Sequence, residues 1–290
     1  MSYQGTKINP SKFHPSQLKF YVILIPLAMV MMLPIVFIVF HAFKPVNELF
    51  AFPPQFLVHH PTLANFQQLA GFTGDSGIPF SRYVFNSLFV TLSVMFLSVF
   101  ISSLAAYTLS KMKFKLRATL FEINTVALMF VPIAVQIPRF LVVDESGIMD
   151  TYLAHILPLL AMPIGLFLLK QFIDQVPDEL KEAAVMDGAG EFLVFRKVII
   201  PVIKPALATV AILAFQAVWN NLDTSSYYVN DESMKTVGFY MSTLVSTNGN
   251  TVAGQGMSAA ASLLMFLPNL IIFIFLQSKV MNTMAHSGLK

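Results

Sequence analysis

The chain has 290 residues, 56% hydrophobic and only 11% charged, and a net charge of +3. Soluble domains carry about 25% charged residues, so too few ionised groups are present to cover a water-facing surface, and the composition points to one helical membrane domain. The small positive charge makes no case for nucleic acid, and the absence of cysteine excludes disulfides, thiolate metal sites and cysteine nucleophiles.

Crossing a hydrocarbon core of about 30 Å at 1.5 Å per residue takes about 20 apolar residues. Six segments qualify: 19–43, 83–110, 120–143, 151–171, 198–221 and 257–279, with residues 1–18 as a cytoplasmic N-terminal segment. The first is free of Asp, Glu, Lys and Arg from Phe20 to Phe43. That exceeds the apolar core of a signal peptide, and no small-x-small site closes it, so it reads as a retained span. The stretch 44–82 is polar and turn-rich and is expected outside the membrane. Its His59-His60 pair has no further ligand type at suitable spacing, so a surface loop is expected there, not a metal site. The third segment contains Arg139, which is either a functional charge or a side chain snorkelling to the interface.

Sidedness follows from the basic residues. With the N-terminus in the cytoplasm, Lys44, Arg82, Arg139 and Lys235 are the only ones of the 18 Lys and Arg on the far side. The loop Lys111-Met112-Lys113-Phe114-Lys115-Leu116-Arg117 is the strongest cytoplasmic anchor, and six spans bring both termini to that side. In the fifth segment, Phe215, Gln216, Trp219 and Asn220 offer aromatic faces and amides that suit a sugar pathway, although a Trp there also suits an interfacial aromatic belt. The stretch 222–256 is expected to be a second external loop, with Asn248, Gly249 and Asn250 as its turn.

Residues 177–197 form the most informative cytoplasmic stretch. Pro177 suits a first helical turn, and Asp178 and Glu179 follow at the positive helix end. Leu180, Ala183, Ala184 and Asp187 recur at helical spacing. Gly188 can end that helix, and a second helix is expected from about Ala189 into Lys197. Small residues at 183 and 184 permit close approach of another surface. This helix–turn–helix is either a docking element for a partner protein or an amphipathic element resting on lipid.

Glu182-Ala183-Ala184, then Gly188, then Val198-Ile199-Ile200-Pro201 resemble the EAA motif of the membrane subunits of bacterial ABC importers. Val198 and Ile200 replace the usual Ile and Leu conservatively, and Asp187-Gly188-Ala189 is similar to the version in carbohydrate importers. Asn86-Ser87, Ser103-Leu104-Ala105-Ala106-Tyr107, Pro205-Ala206-Leu207-Ala208-Thr209, Trp219-Asn220 and Gly288-Leu289-Lys290 also look like that family, nearest to the six-span partner subunit of the maltose type. Asn221 stands where members often have Asp.

The resemblance implies an all-α, polytopic permease subunit of the bacterial plasma (inner) membrane that performs no covalent chemistry. It implies a second permease subunit, two ATPase subunits, an extracellular or periplasmic sugar-binding protein and the lipid bilayer as partners. No Gly-x4-Gly-Lys-Ser/Thr loop occurs here; ATP and magnesium would sit in the partner ATPase, with no cofactor in this chain. The resemblance makes Glu182, Ala183, Ala184, Asp187, Gly188 and Ala189 the ATPase-coupling residues, with Glu182 making charge-assisted hydrogen bonds to a partner Arg or Lys. It also lets the turn at Asn248, Gly249 and Asn250 reach the binding protein, the alternative being an ordinary flexible turn. A gradient-driven transporter would need carboxylates at mid-depth, and a membrane enzyme would need clustered acidic or His ligands; neither pattern is evident.

Overall fold

The computed structural model describes residues 18–71, 77–248 and 251–287, which are mainly helical and contain no strand. Most of the expected N-terminal segment, Gly249, Asn250 and Gly288-Leu289-Lys290 lie outside the described residues. In chain order the helices are α1 (Leu18–Phe43), α2 (Val46–Leu49), α3 (Ala64–Gly71), α4 (Phe80–Lys111), α5 (Arg117–Ala127), α6 (Gln136–Glu145), α7 (Tyr152–Leu160), α8 (Pro163–Asp174), α9 (Asp178–Met186), α10 (Glu191–Val194), α11 (Ile200–Val202), α12 (Lys204–Trp219), α13 (Asp223–Tyr227), α14 (Val237–Asn248) and α15 (Val252–Ser287).

Among the described residues, four stretches are long and apolar enough to cross a membrane: α1, α4, Lys204–Tyr227 and Gly254–Phe275. A fifth results if α7 and α8, bent by 43°, form one broken span. The break has a local cause. Pro163 disfavours helical backbone at the residue before it, and Met162 lies at φ −121°, ψ 81°.

The segment expected at 120–143 is not one continuous helix. It divides into α5, a 3-10 turn at Pro132–Val135, and α6. Here too proline is responsible, since Val131 ahead of Pro132 is extended, at φ −72°, ψ 130°. Hydropathy averages across such a break. The stretch 222–256 differs from a plain loop as well, because it contains α13 and the apolar α14.

The chain forms two compact units. In the first, residues 1–69 with 245–263, Asn65 is buried and its amide donates to the carbonyls of Ala42 (2.9 Å) and Lys44 (2.8 Å), tying α3 to the end of α1. Glycine at 256 is required by space: a Cβ there would sit 2.7 Å from Asn65 Oδ1. Glu48 accepts from the backbone amides of His59 and His60, so the histidine pair belongs to a hydrogen-bonded loop. No cluster able to hold a metal ion occurs among the described residues.

In the second unit, residues 70–244 with 264–290, α4 packs against α7, α8 and α12. Helices gain little from hydrophobicity inside lipid and associate through close packing of small residues. Accordingly α4 buries Ser87, Thr91, Ser98, Ser102, Ser103 and Ala106. The contact between α8 and α12 is equally tight, since a Cβ on Gly165 would lie 3.0 Å from Val210. Large apolar side chains stay uncovered along the broken third segment, where Met129, Ile133 and Ile137 are each more than 70% exposed.

Candidate functional site

The segment 177–199 is built from its backbone outward. Pro177 precedes α9, with Asp178 and Glu179 in its first turn. At the far end, Ala189 N–H bonds Ala184 C=O and Gly188 N–H bonds Val185 C=O, both at 2.9 Å. This is the paired 6→1 and 5→2 pattern of a Schellman ending. Gly188 takes φ +86°, where an L side chain is strained, yet a Cβ there would meet nothing within 4 Å. The glycine therefore serves conformation and not space. The chain then enters α10, which runs into a π-helical turn at Phe195–Ile199.

This geometry divides the motif residues between two faces. Ala184 and Ala189, the residues flanking the Schellman turn, pack on a core of Tyr107, Leu169, Ile173, Val194, Phe195 and Ile199. Glu182, Ala183, Asp187 and Gly188 are exposed. Leu180, Val185 and Met186 flank them, and Met186 is 86% exposed. Glu182 makes no ion pair with Lys181 or Arg196; Lys181 instead pairs with Glu191 at 2.9 Å.

The inner side is held to α4 by polar contacts that sequence reasoning missed. Lys111, the last residue of α4, donates to Asp178 Oδ1 and to the Val176 carbonyl, each at 2.6 Å. Lys181 donates in return to the Lys111 carbonyl at 3.1 Å. The Tyr107 hydroxyl donates to Glu191 Oε2 at 2.5 Å. Beside these, Ser110 and Lys170 both bond Asp174. The hydrogen bond from Lys111 holds the Asp178 carboxyl below the usual range, and those from Tyr107 and then Lys181 do so for Glu191.

The four pathway candidates separate similarly. Phe215 and Trp219 are buried and stacked, with ring centroids 5.7 Å apart. The Trp219 indole N–H donates to the Met265 carbonyl of α15 at 3.1 Å, so this Trp is packed between helices and is not a lipid-interface side chain. Gln216 is half-buried and Asn220 exposed. Asn269 of α15 donates to Asn220 Oδ1 at 3.2 Å, adding an amide that the chain separation concealed. Asn221 accepts from the Thr224 N–H and hydroxyl through Oδ1, a role an aspartate would fill equally well. Arg139 lines a cavity of about 130 Å³ together with Ser98, Pro158 and Ala214.

Of the expected loop tip, Asn248 ends α14, while Gly249 and Asn250 lie outside the described residues. Residues 228–237 are organised from elsewhere. Asn86 donates to the carbonyls of Ser233 and Lys235, both at 2.9 Å, and Ser87 accepts from Val237 N–H at 2.7 Å. Asp150 accepts from the Asn230 side chain at 3.1 Å and from Asp231 N–H at 3.2 Å. The Asn86-Ser87 pair was visible in the sequence, but its partners lie about 150 residues away.

Residues 98–278 match the family of binding-protein-dependent transport system inner membrane components. The chain is 28% identical to the inner membrane ABC transporter permease protein YcjP of Escherichia coli, over 95% of this chain and 97% of that one. It is 29% identical to the arabinooligosaccharides transport system permease protein AraQ of Bacillus subtilis, covering 91% and 92% respectively. Among solved structures, a bacterial ABC transporter involved in import of the acidic polysaccharide alginate has a chain that superposes with a TM-score of 0.78 at 20% identity, over 92% of this chain and 98% of that chain. The protein class is therefore an ABC-importer permease, a membrane subunit and not an enzyme. The chain belongs to the binding-protein-dependent inner membrane component family, whose members work with a substrate-binding protein and ATPase partners.

Proposed function

We propose that this permease subunit carries a sugar or oligosaccharide across the membrane and docks on a separate ATPase through the outer face of α9. The observation that carries this reading is the two-sidedness of the segment: Ala184 and Ala189 fasten it to the bundle, while Glu182, Ala183 and Asp187 remain exposed. Glu182 forms charge-assisted hydrogen bonds to a basic side chain of the ATPase. Closure of two ATPase subunits on ATP and magnesium moves α9 and tilts the attached spans. Differential contact in the closed and open states supplies the coupling.

The oligosaccharide class is supported by the substrates for which AraQ and the alginate importer are described. Gln216 and Asn220 are amides that a sugar could reach, and Asn269 orients Asn220 by donating to its Oδ1. The complete transporter has a second, similar permease subunit. The exposed apolar side chains of the third segment supply a surface for it beside lipid. Six crossings place both termini in the cytoplasm and turn the stretch before α15, with Asn248, Gly249 and Asn250, towards an external sugar-binding protein.

The test is Glu182→Lys in the intact complex reconstituted into vesicles, with a panel of labelled oligosaccharides. Normal membrane insertion with ATP hydrolysis no longer tied to uptake is expected. Normal uptake by the variant would overturn the docking reading.

A further inference from the structure

Chain connectivity joins the segment 177–199 to α8 on one side and to α11 and α12 on the other. A push on α9 would enter the membrane through those helices alone unless something ties it to a third. The end of α4 supplies that tie, through contacts that run in both directions. Lys111 at the C-terminus of α4 bonds the first-turn carboxylate of α9 and the Val176 carbonyl ahead of it. Lys181, one turn into α9, bonds the Lys111 carbonyl, among the carbonyls that a helix leaves without internal partners. Lys181 also pairs with Glu191 beyond the turn, and Glu191 is held by Tyr107 of α4.

Isolated ion pairs at a surface hold little, but these are not isolated. The Lys111 and Lys181 side chains are only 6% and 18% exposed, Tyr107 is buried, and the groups form one connected network. The arrangement grips α9 at its start and the following helix at its first residue, so both halves of the helix–turn–helix are secured to one span.

We propose that this reciprocal clasp makes the end of α4 move as one body with α9, so that the stroke delivered to α9 enters the membrane through α4 as well as through α8 and α12. The clasp residues are positioning residues; none needs to touch ATPase or substrate. This proposal rests on the docking reading above.

The test uses the complete transporter with spin labels on Glu179→Cys and Ile101→Cys, two exposed sites on α9 and α4 in a chain with no cysteine of its own. The distance between them is compared without nucleotide and in the vanadate-trapped ATP state. One narrow, unchanged distance is expected in both. Lys181→Met and Tyr107→Phe should broaden it and lower uptake per ATP hydrolysed about tenfold, whereas Lys181→Arg, which keeps the donors, should restore both. A distance that changes between states in the parent protein, or variants with unchanged distance and coupling, would overturn the clasp. A label at position 182 reports on docking separately: no response to ATP there would remove the docking reading and this proposal with it.

Discussion

Gly188 shows how one residue can serve both fold and function. Its φ of +86° costs an L side chain about 1–2 kcal/mol, and Asn tolerates that region better than Ala. Gly188→Ala should loosen the turn and speed amide hydrogen exchange across 184–194, with Gly188→Asn intermediate. Equal protection in all three proteins would remove the conformational argument. Gly188→Asp adds charge to the exposed face and is expected to uncouple hydrolysis from uptake beyond what the Asn variant does. At Gly256 the constraint is spatial instead. Gly256→Ala meets Asn65, and overpacking of this kind costs about 1–3 kcal/mol, measurable as a lower midpoint of thermal unfolding in detergent. Asn221 makes the contrasting case: its bonds use only the side-chain oxygen, so Asn221→Asp should leave stability near that of the parent, while Asn221→Leu loses a cap worth about 1 kcal/mol.

The attachment of α9 depends on carboxylates whose folded pKa values are depressed, Asp178 and Glu191. Such groups stabilise the folded arrangement above their unfolded values, about 3.9 for Asp and 4.3 for Glu, and that stabilisation is lost as pH falls through the lower folded values. Protease cleavage within 176–191 should therefore stay slow from neutral pH to about 4 and rise only below it. A rise near pH 6 would mean that another group controls the attachment. The helix α12 makes a different use of polarity. Trp219 bonds a backbone carbonyl of α15 one residue from Leu264, whose own carbonyl Pro268 leaves without its usual helical donor. Trp219→Phe keeps the stack on Phe215 and removes that bond, so it should cost about 1 kcal/mol with no loss of insertion.

On the scale of the molecule, the proposed topology is open to direct mapping, because the chain contains no cysteine. Single cysteines at Lys113 and Glu182 should react with an impermeant reagent only from the cytoplasmic side, and those at Phe52 and Asn230 only from the opposite side. Labelling of positions 113 and 182 from opposite sides would exclude the six-crossing arrangement. The count matters because the segment at 120–143 is split by Pro132 and gives no continuous helix to stand for the third crossing. Non-helical backbone at membrane depth is tolerated only where protein or a water-lined cavity covers it, so this segment should be shielded by the second permease in the assembled complex.

Composition, the lengths of the apolar runs and the spacing from Glu182 to Pro201 were enough to indicate a helical membrane subunit and a helix–turn–helix between its spans, because those features depend on local hydropathy and backbone preference. Gly188 could be read as a helix ending for the same reason: a left-handed residue is a local requirement. What faces where is decided by packing between segments remote in sequence. Only the fold turns Ala184 inward and leaves Glu182 outward, buries Trp219 against α15, brings Asn269 to Asn220, and closes Lys111, Tyr107 and Lys181 around Asp178 and Glu191. A hydrogen bond between residues separated by 84 positions leaves no periodic mark in the chain; it exists because the folded helices bring its donor and acceptor within reach.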